Sequence, residues 1–244
     1  MIKVNNLSVS YYGEEVVSDV SFEFDKGLLI GIIGPNGAGK STMIKAILDL
    51  IPKDSGEVLL DDKPIKNYLK KVAYVPQRSD LDWDFPIDVF ETVLMGTYPK
   101  LGLFKKPSKK DKALATASLK RVGMLDYQDK QIGELSGGQQ QRIFLARALT
   151  QEAEIFFLDE PFVGIDVSSE KQIISILKEL KDENKTVFVV HHDLSKVEDY
   201  FDSLILINKE LIDAGSVKDV FIHEKMEEAY KIPLNIPTIE EVEA

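Results

Sequence analysis

The stretch GPNGAGKS, residues 34–41, decides the fold of this 244-residue chain. It matches the pattern G-x-x-x-x-G-K-[ST], in which glycines let the backbone wrap so closely that its N–H groups face phosphate oxygens. Lys40 can reach the outer phosphates of a nucleotide, and the Ser41 hydroxyl can bind Mg²⁺. The pattern therefore predicts a phosphate-binding loop.

The residues around this loop have the order strand, loop, helix that such a site requires. Residues 28–33 form a continuous apolar run, whereas residues 42–51 have helical spacing and end before Pro52. A guanine-binding protein would usually carry an Asn-Lys-x-Asp motif after a strand. The nearest match, NKEL at residues 208–211, lacks the aspartate, which disfavours guanine nucleotides.

Further short runs rich in Val, Ile and Phe alternate with helical patterns, which predicts an α/β fold with a mainly parallel sheet. The expected strands are residues 57–60, 71–75, 155–158, 186–190 and 204–207, with a helix at 168–180. Residues 2–24 alternate apolar and polar side chains around a turn at 12–14, which predicts antiparallel strands. Residues 88–124 have helical spacing broken by Pro99, Gly102 and Pro107, and we expect an inserted helical subdomain there.

The composition excludes several classes of protein. The charge is −11, from 30 basic and 41 acidic residues, and an acidic chain is disfavoured as a nucleic-acid binder because phosphate contacts need Lys and Arg. With no cysteine, disulfides, thiolate metal sites and cysteine nucleophiles are excluded. We see no signal peptide in MIKVNNLSVS and no apolar run near the ~20 residues of a membrane span. We therefore expect a chain that does not cross a bilayer by itself.

Two acidic residues follow the apolar run at 155–158. A buried strand that stops at Asp159 delivers its carboxylate to the carboxyl edge of the sheet, where a phosphate-binding loop also lies. There Asp159 can hold Mg²⁺ through water, and Glu160 can accept a proton from the attacking water or orient it. The alternative is an ordinary strand followed by a solvated acidic turn.

The motif LSGGQ, residues 135–139, is followed by Gln-Gln-Arg and a helical pattern that runs through Leu149. Ser136 and the two glycines expose a hydroxyl and backbone N–H groups at the start of that helix, which makes a second anion-binding terminus. Since one chain already has its phosphate-binding loop, a second such site needs a second nucleotide. The alternative is a simple capped helix.

With these motifs in this order, the sequence resembles the ATP-hydrolysing subunits of ABC transporters over essentially the whole chain. The resemblance implies a P-loop NTPase (RecA-like) α/β core with an N-terminal antiparallel β subdomain and an inserted α-helical subdomain. It implies one domain over 1–244, with the core at 1–87 and 155–215, the helical subdomain at 88–154 and a C-terminal tail at 216–244, which we expect to be partly helical. It also implies ATP and Mg²⁺ as cofactors and a head-to-tail dimer, in which Ser136 of one copy contacts the γ-phosphate held by the other.

The resemblance assigns roles to individual residues. It favours His192 over His191 as the residue that senses the γ-phosphate, Tyr11 over Tyr12 as the residue that stacks on adenine, and Asp166 as a residue of the dimer interface. The implied catalytic residues are Glu160, His192, Gln77 and Lys40. The implied nucleotide-binding residues are Tyr11, Gly34, Asn36, Gly37, Ala38, Gly39, Lys40, Ser41, Thr42, Ser136, Gly137, Gly138 and Gln139. The implied Mg²⁺ ligands are Ser41, Gln77 and Asp159.

Four segments resemble the bacterial subfamily that imports manganese, zinc or chelated iron: residues 80–87, 91–96, 162–166 and 191–195. This likeness implies metal import, with manganese favoured, a polytopic membrane permease as partner, an extracytoplasmic solute-binding protein as an indirect partner, and a place at the cytoplasmic face of the membrane. Trp83 and Phe85 would either form the pocket for the permease's coupling helix or be ordinary core residues. The main alternative function is a soluble ABC ATPase without a transporter.

Overall fold

A computed structural model of the protein describes residues 1–83, 85–101 and 105–231. Residues 232–244 of the expected C-terminal tail, Gly102 and Asp84 lie outside the described residues. None of the helices within these ranges combines the length and the hydropathy needed to cross a lipid bilayer.

The described residues contain strands and helices in alternation, which confirms the α/β class. The strands are β1 (Ile2–Tyr11), β2 (Glu14–Phe24), β3 (Leu29–Ile33), β4 (Ser55–Leu60), β5 (Lys63–Pro64), β6 (Val72–Val75), β7 (Ile155–Leu158), β8 (Thr186–Val190), β9 (Ser203–Asn208) and β10 (Glu210–Ser216). The helices are α1 (Lys40–Ile47), α2 (Val89–Leu94), α3 (Lys109–Arg121), α4 (Gly137–Thr150), α5 (Val167–Asp182), α6 (Val197–Tyr200), α7 (Val217–Val220) and α8 (His223–Tyr230).

The chain forms two compact units. The first combines Met1–Leu69 with the chain from Thr186 onward, and the second is Lys70–Lys185. Each unit is described below by itself. The narrower division that the resemblance implies, with a helical subdomain at 88–154, stays a prediction.

The first unit is built on a sheet with the strand order β5-β4-β1-β2-β10-β9-β3-β8. Its central strand β3 lies in parallel between β9 and β8, and all five of its residues are buried. A parallel strand covered on both faces reads as a continuous apolar run, which is why residues 28–33 could be recognised from the sequence.

Antiparallel pairing joins β1 to β2 and to β4, as expected for the N-terminal part. The β1–β2 connection is the predicted turn, in which Tyr12 and Gly13 both have positive φ. Two of the described strands were not predicted, the two-residue β5 and the longer β10. Strand β10 pairs antiparallel with β9 and in parallel with β2. Its sequence, ELIDAGS, has no clean alternation, so the neighbouring strands rather than its own pattern determine its conformation.

The second unit contains the parallel pair β6 and β7 with helices α2 to α5. The expected helical segment after residue 88 is present as α2 and α3, separated by a 3-10 turn at Met95–Lys100 that contains Pro99. Proline removes a backbone donor and clashes with the preceding helical turn, which explains this break. Helix α4 begins after Ser136 and reaches Thr150, as the capped pattern predicted.

Candidate functional site

The predicted site residues fall in both units. The first unit holds the phosphate-binding loop, residues 34–41, between β3 and α1. The Lys40 side chain is 6% exposed, and its ammonium donates hydrogen bonds of 2.8 Å to the backbone carbonyls of Gly34 and Pro35. The loop is therefore curled around a positive charge.

Two glycines are required by this curled backbone. Gly34 has φ +152°, and a Cβ there would lie 2.0 Å from the Ile207 carbonyl oxygen at the end of β9. Gly39 has φ +88°, and its Cβ would lie 2.6 Å from the Val16 carbonyl oxygen on β2. Any larger residue would push the loop away from these strands, so both glycines set how closely it approaches them.

The loop and the start of α1 fit a nucleotide phosphate. The N-cap of α1 is Gly39, no side chain caps its N-terminus, and its first turn contains no acidic residue. Backbone N–H groups at a helix start form an anion site. Asn36 and Gly37 at the tip of the loop are exposed. Apart from its two chain neighbours, none of the described residues has an atom within 4 Å of a Cβ built on Gly37. The cradle is therefore open to a ligand at its tip.

The β1–β2 turn also lies near this loop, because β2 reaches Gly39 through Val16. Tyr11 ends β1 opposite Glu14 and is 42% exposed, whereas Tyr12 is fully exposed with φ 52° in the turn. Tyr11 is therefore the more sheltered of the two rings and lies in a strand, whereas Tyr12 lies in the turn. The choice between the two tyrosines for adenine stacking stays a prediction.

The two histidines after β8 have opposite surroundings. His191 is 3% exposed and packs against the rings of Tyr200 and Phe201 at centroid distances of 5.8 and 5.5 Å. His192 is exposed. Since Val190 pairs with Ile32 in the parallel strands β8 and β3, His192 follows at the same carboxyl edge as the phosphate-binding loop. Its exposure suits a group that contacts a ligand, and that role stays a prediction.

In the second unit, Asp159 follows β7 and is 1% exposed. Its backbone N–H donates a 2.9 Å hydrogen bond to the carbonyl of Val75, so it continues the β6–β7 pairing by one residue. The Tyr74 hydroxyl lies 3.5 Å from its Oδ2. Burial, followed by the negative charge of Asp159, raises the pKa of Tyr74 above its usual value, so this phenol stays protonated beside the carboxylate.

Glu160 is paired with Gln77. The Gln77 Nε2 donates a hydrogen bond to Oε2 of Glu160, and Glu160 has φ 52°. A non-glycine residue in the left-handed region is uncommon and concentrates at functional sites. Two residues that the sequence placed in the same machinery are therefore in direct contact, at the carboxyl ends of β6 and β7.

The LSGGQ segment forms a capped helix start. Ser136 is the exposed N-cap of α4, and it forms a capping box with Gln139: the Gln139 N–H donates to Ser136 Oγ at 3.4 Å, and the Ser136 N–H donates to Gln139 Oε1 at 2.9 Å. The capping box satisfies both of these N–H groups and leaves Ser136 exposed at the surface. The structure thus contains the capped helix that was the alternative interpretation of this motif. Ser136 is nevertheless exposed at the start of that helix.

Both glycines of this segment are packed tightly. A Cβ on Gly137 would lie 3.0 Å from the Gly164 carbonyl oxygen, and one on Gly138 would lie 2.4 Å from Ser169 Oγ. The Ser169 hydroxyl in turn donates a 2.7 Å hydrogen bond to Asp166, which caps the start of α5. The hydrogen bond from Ser169 lowers the pKa of Asp166. Asp166 therefore has a structural role in its own chain that sequence reasoning missed, although an aspartate two residues before Ser168 is a recognisable cap signal.

The implied Mg²⁺ ligands suit that ion in their chemistry. Among the residues the structure describes, no three acidic or histidine side chains are clustered as a metal site. Mg²⁺ in nucleotide-hydrolysing proteins keeps several waters and takes one or two carboxylates plus substrate phosphates. The hydroxyl of Ser41, the amide oxygen of Gln77 and the carboxylate of Asp159 are hard oxygen donors of that kind.

The segment after Gln77 contains residues whose role sequence reasoning missed or left open. Phe85 is 58% exposed, so its interpretation as a core residue is wrong. Trp83 is half-buried and packs edge-on against Phe144 of α4 at 5.4 Å. Arg78 donates two hydrogen bonds to Gln140, at 3.1 and 3.0 Å. The only sequence signal for Arg78 is its position directly after Gln77.

Comparison with known proteins agrees with this geometry. The family model described as ABC transporter matches residues 17–163. The manganese transport system ATP-binding protein of Halalkalibacterium halodurans is 54% identical over 95% of this chain and 92% of its own length. The zinc transport system ATP-binding protein of Treponema pallidum is 49% identical over 94% of this chain and 86% of its own length.

A solved structure has the same fold. It is an inward-facing ABC transporter of the metal-chelate type, and its matching chain superposes with a TM-score of 0.84 at 26% identity, covering 95% of this chain and 89% of that one. The P-loop NTPase fold expected from residues 34–41 is confirmed.

Proposed function

Because the chain belongs to the ABC transporter family, we propose that it is the ATP-hydrolysing subunit of a transporter that imports a transition-metal ion, with manganese favoured over zinc and iron. The observation that carries ATP hydrolysis is the contact between Gln77 and Glu160 at the ends of two paired parallel strands. The observation that favours manganese is the 54% identity to a manganese transport subunit.

Lys40 and the loop amides bind the β- and γ-phosphates. The ammonium of Lys40 is already held by two carbonyls of the loop, so little side-chain entropy is lost when a phosphate arrives. Tyr11 stacks on the adenine, and His192 contacts the γ-phosphate. The Ser41 hydroxyl, Gln77 and Asp159 would hold Mg²⁺, which would neutralise charge on the phosphates.

Glu160 orients the attacking water and accepts its proton. The hydrogen bond from Gln77 restricts the Glu160 carboxylate to one direction. Phosphoryl transfer needs positioning and charge stabilisation more than covalent chemistry from the protein. The contribution of Glu160 to the reaction is therefore a carboxylate held in a fixed orientation.

Each complete nucleotide site requires residues from two copies of the chain. Ser136 is exposed at the start of α4, where the helix dipole favours an anion, and each copy provides one phosphate-binding loop and one such helix start. We propose that the copies associate head to tail, so that Ser136 of one contacts the γ-phosphate bound by the other. ATP binding then closes the dimer, and hydrolysis reopens it.

The partners follow from the family. A polytopic permease carries the metal through the membrane, and a solute-binding protein outside delivers it. The ATPase docks at the cytoplasmic face, with the exposed ring of Phe85 suited to a permease helix. Both relatives described above are named as transport subunits, which disfavours a soluble ABC ATPase without a transporter.

The test joins hydrolysis to uptake. Cells that depend on this chain are given Mn²⁺, Zn²⁺ or iron, and uptake is compared between the wild type and Glu160→Gln. Uptake of manganese that is lost in Glu160→Gln is the expected result. Uptake that continues unchanged in that variant would overturn the role in transport, and uptake of zinc alone would overturn the choice of metal.

A further inference from the structure

The half-buried side chain of Arg78 lies at the meeting point of three segments of the second unit. Its Nε and Nη2 both donate to the Gln140 Oε1, at 3.1 and 3.0 Å. A Cβ on Gly137 would lie 3.5 Å from its Cζ, and one on Gly164 would lie 3.9 Å from its Nη1. The guanidinium is therefore hydrogen-bonded to the first turns of α4 and lies close to the loop before α5, while its own backbone directly follows Gln77.

The acceptor on α4 is fixed in its orientation. Gln140 is 3% exposed, and its Nε2 donates a 3.1 Å hydrogen bond to the carbonyl of Ile132. Since the amide nitrogen is used there, only the oxygen can face Arg78. Because two N–H groups of the planar Arg78 guanidinium donate to the same buried oxygen, the orientation of the guanidinium is fixed as well as its distance from Gln140. The flexible ammonium of a lysine would not fix that orientation.

Trp83 holds the other side of Arg78. The indole Nε1 donates a 2.9 Å hydrogen bond to the Arg78 carbonyl, and the guanidinium carbon lies 5.5 Å from the centre of the indole ring. The same ring packs on Phe144 of α4. The turn after Gln77 is thus attached to α4 twice, through Gln140 and through Phe144.

We infer that Arg78 is a positioning residue that ties the Gln77–Glu160 pair to the start of α4, so that Ser136 and Glu160 are held in one arrangement. Arg78 acts through Gln77 and Gln140 and touches no reacting atom in this account. The inference rests on the proposed ATP hydrolysis, because its consequence is a slower chemical step. A displacement of about 1 Å in a catalytic group can cost on the order of 100-fold in rate.

The experiment compares three variants of the full chain in steady-state ATP hydrolysis and nucleotide binding. Arg78→Met keeps the length of the side chain without its donors, and we expect kcat to fall by about tenfold or more with KM within about twofold. Arg78→Lys retains one donor towards Gln140 and is expected to recover part of the rate. The matched control is Arg121→Met, which removes a guanidinium that forms ion pairs with Glu179 and Glu183 at the surface, away from Gln77 and Gln140 in the sequence.

Trp83 supplies a second readout, since it is the chain's one tryptophan. In the wild type and in Arg121→Met, MgATP is expected to change its fluorescence. In Arg78→Met that change is expected to be lost, although the thermal midpoint stays near that of the control. A fall in kcat at nearly unchanged KM that is partly recovered in Arg78→Lys would not follow from a merely structural role of Arg78.

Four results would each overturn the inference. The kinetic ones are a kcat of Arg78→Met equal to that of Arg121→Met and an Arg78→Lys variant as slow as Arg78→Met. The fluorescence ones are an unchanged Trp83 response in Arg78→Met and no Trp83 response in the wild type. Failure of the proposed function gives a different pattern. In that case the wild type and Arg121→Met would both bind ATP without hydrolysing it.

Discussion

The side-chain amide of Gln77 donates a hydrogen bond to the carboxylate of Glu160. Val75 pairs with Leu158 at the ends of β6 and β7, so the two residues follow at equivalent places along neighbouring parallel strands. The bond connects the residue that follows β6 with the proposed general base. A displacement of Gln77 would therefore act directly on the Glu160 carboxylate through this hydrogen bond.

Replacing Glu160 with Gln should separate ATP binding from ATP hydrolysis. The amide keeps the size of the side chain but accepts no proton, so we expect turnover to fall by about 100-fold or more. ATP binding should persist, and because the closed dimer is not reset by hydrolysis, MgATP should leave more dimer in solution. Phosphate release and light scattering measure both effects. Glu179→Gln is the control, and a Glu160→Gln variant with normal turnover would contradict the role of Glu160.

The two neighbouring tyrosines should differ in nucleotide affinity. Stacking of a base on an aromatic ring contributes about 1–3 kcal/mol, so Tyr11→Ala should weaken ATP binding by about 5- to 150-fold. Tyr12→Ala serves as the matched control, because that fully exposed ring is expected to change the affinity little. Equilibrium titration with ATP compares them, and the reverse order would assign the adenine to Tyr12.

Gly138→Ala should destabilise the second unit at the start of α4. The new methyl group would lie 2.4 Å from Ser169 Oγ, and overpacking of this kind costs about 1–3 kcal/mol. The double variant Gly138→Ala with Ser169→Gly should recover part of the loss, because it removes the clashing atoms. Gly215→Ala is the control, since its methyl group would make only an ordinary 3.6 Å contact. Chemical unfolding gives the comparison, and equal stability of both single variants would contradict the close packing.

Asp61 should make a pH-dependent contribution to stability. Hydrogen bonds from Lys26 and from the terminal amine of Met1 lower its pKa from 3.8 to about 2. The folded state therefore favours the ionised carboxylate, and the stabilisation is present above pH 3.8 and lost as the pH falls towards 2. Because the Asp61 carboxylate is exposed, we expect it to contribute at most about 1 kcal/mol to the free energy of unfolding.

The measurement is urea unfolding of the wild type and Asp61→Asn at pH 7 and pH 3. The difference in the free energy of unfolding between the wild type and Asp61→Asn should be smaller at pH 3 than at pH 7. Asp62→Asn is the neighbouring control. A difference that grows on acidification would contradict the assignment of the pKa shift to these two cations.

Hydrophobic patterns in the sequence predicted those strands and helices whose conformation depends mainly on their own residues. The bounds of β7 and β8 agree with the apolar runs at 155–158 and 186–190, because each strand is buried along its whole length. The sequence predicted a helix at 42–51, whereas α1 begins and ends a few residues earlier, at Lys40–Ile47. The hydrophobic pattern could not show this start, because the helix begins where Gly39 adopts a positive φ.

Contacts between distant residues could not be predicted from spacing. Arg78 meets Gln140, which lies 62 residues away along the chain, and no motif marks that pair. Likewise, β10 pairs with β9 and β2 although its own sequence is weakly patterned. The motifs thus identified the candidate site residues, whereas the side chains that hold them in place became visible only in the structure.

The central claim is that each nucleotide is bound by two copies of the chain, which is tested most directly by mixing two inactive variants. Lys40→Met disables the phosphate-binding loop, and Ser136→Ala disables the start of α4. In a head-to-tail pair of these variants, one of the two composite sites has both wild-type parts. The mixture is predicted to regain up to about a quarter of the wild-type ATP hydrolysis, because half of randomly formed dimers contain one intact site. A mixture that hydrolyses no more ATP than the two variants measured separately would contradict the account.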